Sequence, residues 1–209
     1  MINMSMNHKV NNVQRLHESA TTLYKNVVTG EGSSADSILT NLNSGIENLK
    51  KNWKGADAGK RIQEVIRVYN AMVSVRNALA QLAVDSSSIA SNYRNIQNAN
   101  GAGLESLSVL AFDAKTNLSD YSDTTDTVDI NPEAEAGKTS IINARDTMDP
   151  FISAVTAKYN EIMENWTAGT GRDNAQSAFD SFVSNANVYK QTLTDVSSNI
   201  TTALQNYSS

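Results

Sequence analysis

The chain has 209 residues, no cysteine, two prolines and ten glycines, and it carries a net charge of −5. Apolar residues make up 40% of it and charged residues 19%, enough apolar content for a core and too much for a wholly disordered chain. The acidic balance argues against a general nucleic-acid binder, which needs a basic face. The missing cysteine excludes disulfides and thiolate metal sites, and no run approaches the ~18 apolar residues of a membrane span.

In chain order, Met1 to Val13 is polar and lacks the apolar core of a Sec-type signal peptide, so export, if it occurs, is expected to use another route. A first amphipathic arm follows, interrupted by Gly30-Glu31-Gly32-Ser33-Ser34 and ending at Asn52-Trp53. Gly55 and Gly59 then mark a reversal, glycine being the residue that permits a positive φ. Asp57 is positioned to cap a second, long arm over about 57–97, some 55–60 Å at 1.5 Å per residue. Val65, Met72, Leu79, Ser86 and Tyr93, interleaved with Val68, Val75, Leu82, Ile89 and Ile96, give that arm its heptad stripe.

Asn98 to Gly103 reads as a loop. Leu104, Leu107, Leu110, Ala111, Ala114, Leu118 and Tyr121 then have the spacing of a five-turn helix, followed by an acidic loop to Asn131. Asn131-Pro132-Glu133 opens another arm, within which Asp149-Pro150 reads as a cap and first-turn proline or as a kink. This arm ends at Asn165-Trp166, with Gly169 and Gly171 just beyond. Thr170 with Asp173 resembles a capping box for the last arm, roughly 172–207. Its stripe is Phe179, Ala186, Leu193, Ile200 and Tyr207 with Phe182, Tyr189, Val196 and Ala203.

The two halves share a plan. Upstream of the tryptophans, Ile38/Phe151, Leu39/Ile152, Leu42/Val155, Ile46/Tyr159 and Leu49/Ile162 match at an offset of 113, and beyond the turns the stripes match at 114. The one-residue change is Ala168. A lone pair of arms leaves too much apolar surface wet to offset its ordering entropy, whereas two hairpins packed together bury both faces. The expected fold is therefore all-α: two tandem helical hairpins in an elongated, antiparallel four-helix bundle with a helical connector. Residues 1–98 form the first hairpin, 99–131 the connector and 132–209 the second. Antiparallel packing places Trp53 near Tyr207 and Trp166 near Tyr93, and requires the connector to travel about 55–60 Å.

Chemistry-bearing patterns are sparse. His8 and His17 lack the spacing of a metal pair, and the acidic run Asp113, Asp120, Asp123, Asp126, Asp129, Glu133 and Glu135 lacks that of a calcium loop. Nucleophile-elbow, Walker and Rossmann patterns are missing. The expectation is a non-enzymatic protein with no cofactor and no metal.

Trp53-Lys54-Gly55, a Trp-x-Gly turn between two amphipathic helices in a unit of about a hundred residues, resembles the WXG family of small, leaderless helical hairpins exported by type VII secretion in Gram-positive bacteria and mycobacteria. The resemblance covers nearly the whole chain, taken as two tandem units. It implies a protein secreted without a cleavable signal peptide, working by protein–protein interaction as substrate or escort. Implied partners are the secretion machinery, another WXG-like protein or a second copy, with no nucleic acid. It also implies turn and recognition residues at the turns and helix ends, Trp53, Gly55, Trp166, Gly169, Tyr93 and Tyr207; the two tryptophans are expected to pack into the closed ends of the hairpins and hold the turns, with recognition as an additional role. The second turn, Trp166-Thr167-Ala168-Gly169, is one residue longer than the motif. The family's Tyr-x-x-x-Asp/Glu signal is not completed, since Gln97 follows Tyr93 at the acidic position and only Ser208 and Ser209 follow Tyr207. Composition also fits a subunit of a helical assembly of the flagellin, needle or phage-tail kind, or a membrane-disrupting effector.

Overall fold

The computed structural model describes residues 10–167 and 170–207, apart from the side chain of Thr170. The chain is all-α. Its helices are α1 (Val13–Thr22), α2 (Ala35–Asn52), α3 (Ala56–Ala99), α4 (Ala134–Asn165) and α5 (Thr170–Tyr207). Two short extended pieces, β1 (Trp53–Lys54) and β2 (Asp129–Ile130), pair antiparallel. No helix among the described residues is long and apolar enough to cross a membrane.

The described residues form five α-helices where four long arms are expected, because the first arm is broken. Asn12 caps α1 by accepting from the Arg15 N–H at 3.0 Å. The helix then widens into a π-helical stretch, Leu23–Val28, and ends at Thr29, whose N–H reaches back five residues to the Tyr24 carbonyl. After the glycine-containing link, Ser34 restarts the chain as α2, its hydroxyl accepting from the Ser37 N–H. The other first arm is one continuous helix: Pro150 lies inside α4 and is neither preceded by a cap nor in a first turn. Pro150 leaves only the Asp146 carbonyl without its helical donor.

Packing follows the apolar stripes. Of the ten residues matched upstream of the tryptophans, nine are buried and Ile152 is half-buried. α3 is the central helix, with buried residues on several faces, including Val65, Ile66 and Val68 in one turn. α2 and α4 run antiparallel and cross closely, since a Cβ on Gly45 would meet Ile141 Cγ1 at 2.8 Å and one on Gly137 would meet Asn48 Oδ1 at 2.7 Å. α3 and α5 also run antiparallel: Gly171 sits against Asp85, while Arg61 and Glu64 share a surface recess with Thr192 and Asp195.

The connector is not helical. Residues 102–128 form no helix and instead run as an extended strap back along α3, in the groove between it and the first arm. Side chains of α3 hold the strap's main chain at regular intervals. Asn98 donates to the Leu104 carbonyl and accepts from its N–H, both at 2.7 Å. Ser91 donates to the Leu107 carbonyl at 2.9 Å, and Ser87 accepts from the Leu110 N–H at 3.0 Å. Asn77 grips Lys115 through both its amide groups at 2.8 and 2.9 Å, and Asn70 grips Leu118 the same way at 3.0 and 2.8 Å. Gln63 accepts from the Tyr121 N–H at 2.6 Å.

The helix-like spacing of the strap has a geometric cause. Seven helical residues rise about 10.5 Å, and three extended residues cover about 9–10 Å. Where the clamps fall a heptad apart, at Gln63, Asn70 and Asn77, the strap therefore repeats every three residues, and its inward apolar residues Leu107, Leu110, Leu118 and Tyr121 fall three apart in two pairs. In sequence, that period resembles the i, i+3 spacing of a helix. From Asn98 to Gln63 the helix spans roughly 52 Å, which the strap covers between Leu104 and Tyr121 at about 3.1 Å per residue. The expected length of travel is met by extension alone.

Candidate functional site

Both tryptophans leave a helix in nearly the same conformation, Trp53 at φ −136°, ψ 122° and Trp166 at φ −131°, ψ 108°. The asparagine before each is buried and turns its side-chain amide back on the helix it ends: Asn52 donates to the Asn48 carbonyl and Asn165 to the Glu161 carbonyl. The extended residue then pairs with a segment that precedes the opposite first arm. Trp53 pairs with Ile130, and Trp166 forms a bridge with Val10. The Asn131 N–H donates to the Asn52 carbonyl at 2.8 Å, as the Asn11 N–H does to the Asn165 carbonyl at 3.0 Å. The two ends of the molecule are thus built alike. The offset between Asn11 and Asn131 is 120 and that between the tryptophans is 113. The seven additional residues of the first arm are taken up by the π-helical stretch and the link behind it.

Both indole rings are closed off from solvent, Trp53 at 2% exposure and Trp166 at 1%. Of the first turn, Trp53 and Gly55 are buried and only Lys54 is half-buried. Gly55 sits at φ 112°, ψ 164°, a region open essentially only to glycine, and its N–H donates to Asp123 Oδ2 at 3.2 Å. Gly55 is also the N-cap of α3. Asp57 therefore lies in the first turn and does not cap the helix; its carboxylate reaches Arg61 at 3.6 Å. Hydrogen bonds from the Thr125 hydroxyl, the Thr125 N–H and the Gly55 N–H hold the Asp123 carboxyl below its ordinary value. At the strap's end, Lys50 Nζ lies 5.4 Å from the centre of the Tyr121 ring, a cation–π contact.

Tyr93 is half-buried, near the C-terminus of α3, and Tyr207 is exposed as the last residue of α5. Gly169 lies outside the described residues, as do Ala168, His8 and the capping group of Thr170. His17 is tied to the strap, its Nε2 donating to the Ser108 carbonyl at 2.7 Å. Among the described residues no three His, Cys, Asp or Glu side chains converge in a way that would hold a metal ion.

The pairing of Val10 and Ile130 with the tryptophans was not anticipated. Its faint sequence signal is a β-branched residue followed by asparagine, Val10-Asn11 and Ile130-Asn131, ahead of each first arm. Arg76 was also missed. It is fully buried at mid-α3, with Nε donating to Asp36 Oδ1 at 2.9 Å and Nη1 to the strap carbonyl of Asp113. No protein-family model, curated protein or solved structure matches the chain.

Proposed function

We propose that the chain is a non-enzymatic helical protein of the type VII, WXG kind, secreted without a cleavable signal peptide or escorting a secreted partner. In this reading α1–α2 with α3, and α4 with α5, are two WXG-type hairpins fused in one chain. They form within a single polypeptide the antiparallel four-helix bundle that separate subunits otherwise form by pairing. The observation that carries it is the repeated tryptophan turn: a buried Asn-Trp pair ends each first arm, and the same cross-pairing is made at both ends of the molecule.

Because the rings are buried, recognition at the first turn would read the surface they shape. That surface includes Lys54, and Gly55 holds the backbone around it. Partners of this reading are the secretion machinery or another WXG-like protein. The test is to follow the full-length protein into the culture medium of its host with and without the membrane-bound secretion ATPase. Loss of the extracellular protein in the ATPase deletion, with cytoplasmic levels maintained, is the expected result. Unchanged release would refute the reading. Reversible filaments in light scattering of the purified protein would favour a helical assembly subunit instead.

A further inference from the structure

We infer that the groove between α3 and the first arm is a binding site for an extended, acidic polypeptide segment of a partner protein, a site that the chain's own strap fills in its absence. The inference rests on the clamps and stands independently of the secretion reading.

Three observations carry it. The first is what the groove reads. Asn70 and Asn77 each use both amide groups on one strap residue, taking its N–H and its carbonyl. Arg76 and Arg94 donate to the carbonyls of Asp113 and Glu105, and His17 to that of Ser108. All these bonds go to main chain, which every polypeptide possesses. The site therefore demands an extended backbone more than a particular sequence, as strand-addition sites do.

The second is periodicity. Clamps at Gln63, Asn70 and Asn77 meet Tyr121, Leu118 and Lys115, so seven helical residues match three of the ligand. The half-buried Leu107, Leu110, Leu118 and Tyr121, four of the residues the clamps hold, pack against the core. A ligand is thus specified by two pairs of apolar residues, each pair three positions apart.

The third is charge. Between Leu104 and Thr127 the strap carries Glu105, Asp113, Asp120, Asp123 and Asp126 against the single Lys115. Facing it are the buried Arg76, which is paired with Asp36 and lies 3.9 Å from the Asp113 carboxylate, and Arg94, while Lys50 on Tyr121 is itself paired with Glu47. A groove that grips backbone and holds an acidic resident beside two buried arginines is suited to another acidic extended segment.

A tethered strap competes at an effective concentration in the millimolar range, so a free peptide meets an occupied site in the wild-type protein. The test weakens the resident and leaves the groove intact. Full-length protein carrying Leu107→Ser, Leu110→Ser and Leu118→Ser is titrated against a fluorescein-labelled synthetic peptide of residues 102–124. Saturable binding at least about tenfold tighter than to wild type is expected. Adding Asn70→Leu and Asn77→Leu should weaken it at least about tenfold. A peptide N-methylated at Lys115 and Leu118 should compete poorly, since it lacks the two N–H donors.

Absence of saturable binding to the folded triple variant, or equal binding of the N-methylated peptide, overturns the inference. If the triple variant does not fold, hydrogen exchange on the wild type decides. Strap amides at Leu110, Lys115, Leu118 and Tyr121 should exchange by local opening, well before the core of α3. Exchange of both only through global unfolding would mean that the groove never opens, and the inference would fall.

Discussion

Replacing Trp53 with alanine is the sharpest test of how the turns are built. The ring is 2% exposed; a tryptophan buries up to about 250 Å², which at ~25 cal/mol per Å² is about 6 kcal/mol before relaxation. Part of the void collapses, so the expected loss is about 3–5 kcal/mol. For a domain whose whole stability is about 5–15 kcal/mol, that is a large share. At about 2–4 °C per kcal/mol for a chain of this size, the melting point should fall by roughly 6–20 °C. Trp166 is 1% exposed and makes the equivalent pairing, so Trp166→Ala should cost the same within about 1 kcal/mol. Urea unfolding followed by far-ultraviolet circular dichroism measures both. A loss below about 1 kcal/mol for either variant would refute the argument that the rings are core residues closing the two ends.

Other substitutions probe the strap and its anchors. Asn77→Ala removes two side chain–main chain hydrogen bonds and should cost about 1–2 kcal/mol, with faster hydrogen exchange at Lys115; unchanged exchange there would contradict the clamp. Gly55→Ala forces a Cβ into a glycine-only backbone region and within 3.1 Å of the Thr127 carbonyl. It should destabilise by about 1–3 kcal/mol in the same urea assay. Arg76→Met leaves Asp36 without its buried partner; because that carboxylate is 24% exposed, water screens it and the loss should be about 2 kcal/mol. Asp123 has a folded-state pKa below its ordinary value. Its contribution is therefore complete above that ordinary value and is lost as pH falls through the lowered one. Amide shifts of Gly55 and Thr125 should move together on acidification and stay still in Asp123→Asn. Movement persisting in the variant would assign the effect to another group.

Much of the helical framework is legible in the residues. The long breaker-free stretches and heptad stripes mark the two long second arms, now α3 and α5, and Gly30 to Ser34 marks the break in the first arm. The matched positions Ile38/Phe151 through Leu49/Ile162 mark the core because burial follows a 3.6-residue period whatever partner supplies the other wall. Gly55 is legible for a local reason: only glycine sits comfortably at its backbone angles.

The strap is the opposite case. Apolar residues three positions apart are compatible with a helix or with an extended segment clamped once per heptad, and only the polar row on α3 separates them. Gln63, Asn70, Asn77, Ser91 and Asn98 look like an ordinary solvated face until another segment lies on it. Pairing of Trp53 with Ile130 and of Trp166 with Val10 depends likewise on which ends the hairpins bring together. The amino-acid sequence by itself determined where the long arms lie and which of their faces are apolar, since those are properties of a few neighbouring turns. Only the tertiary structure decided the extended form of residues 102–128 and the closure of both ends, because main-chain groups outside helices take their conformation from partners distant in the chain.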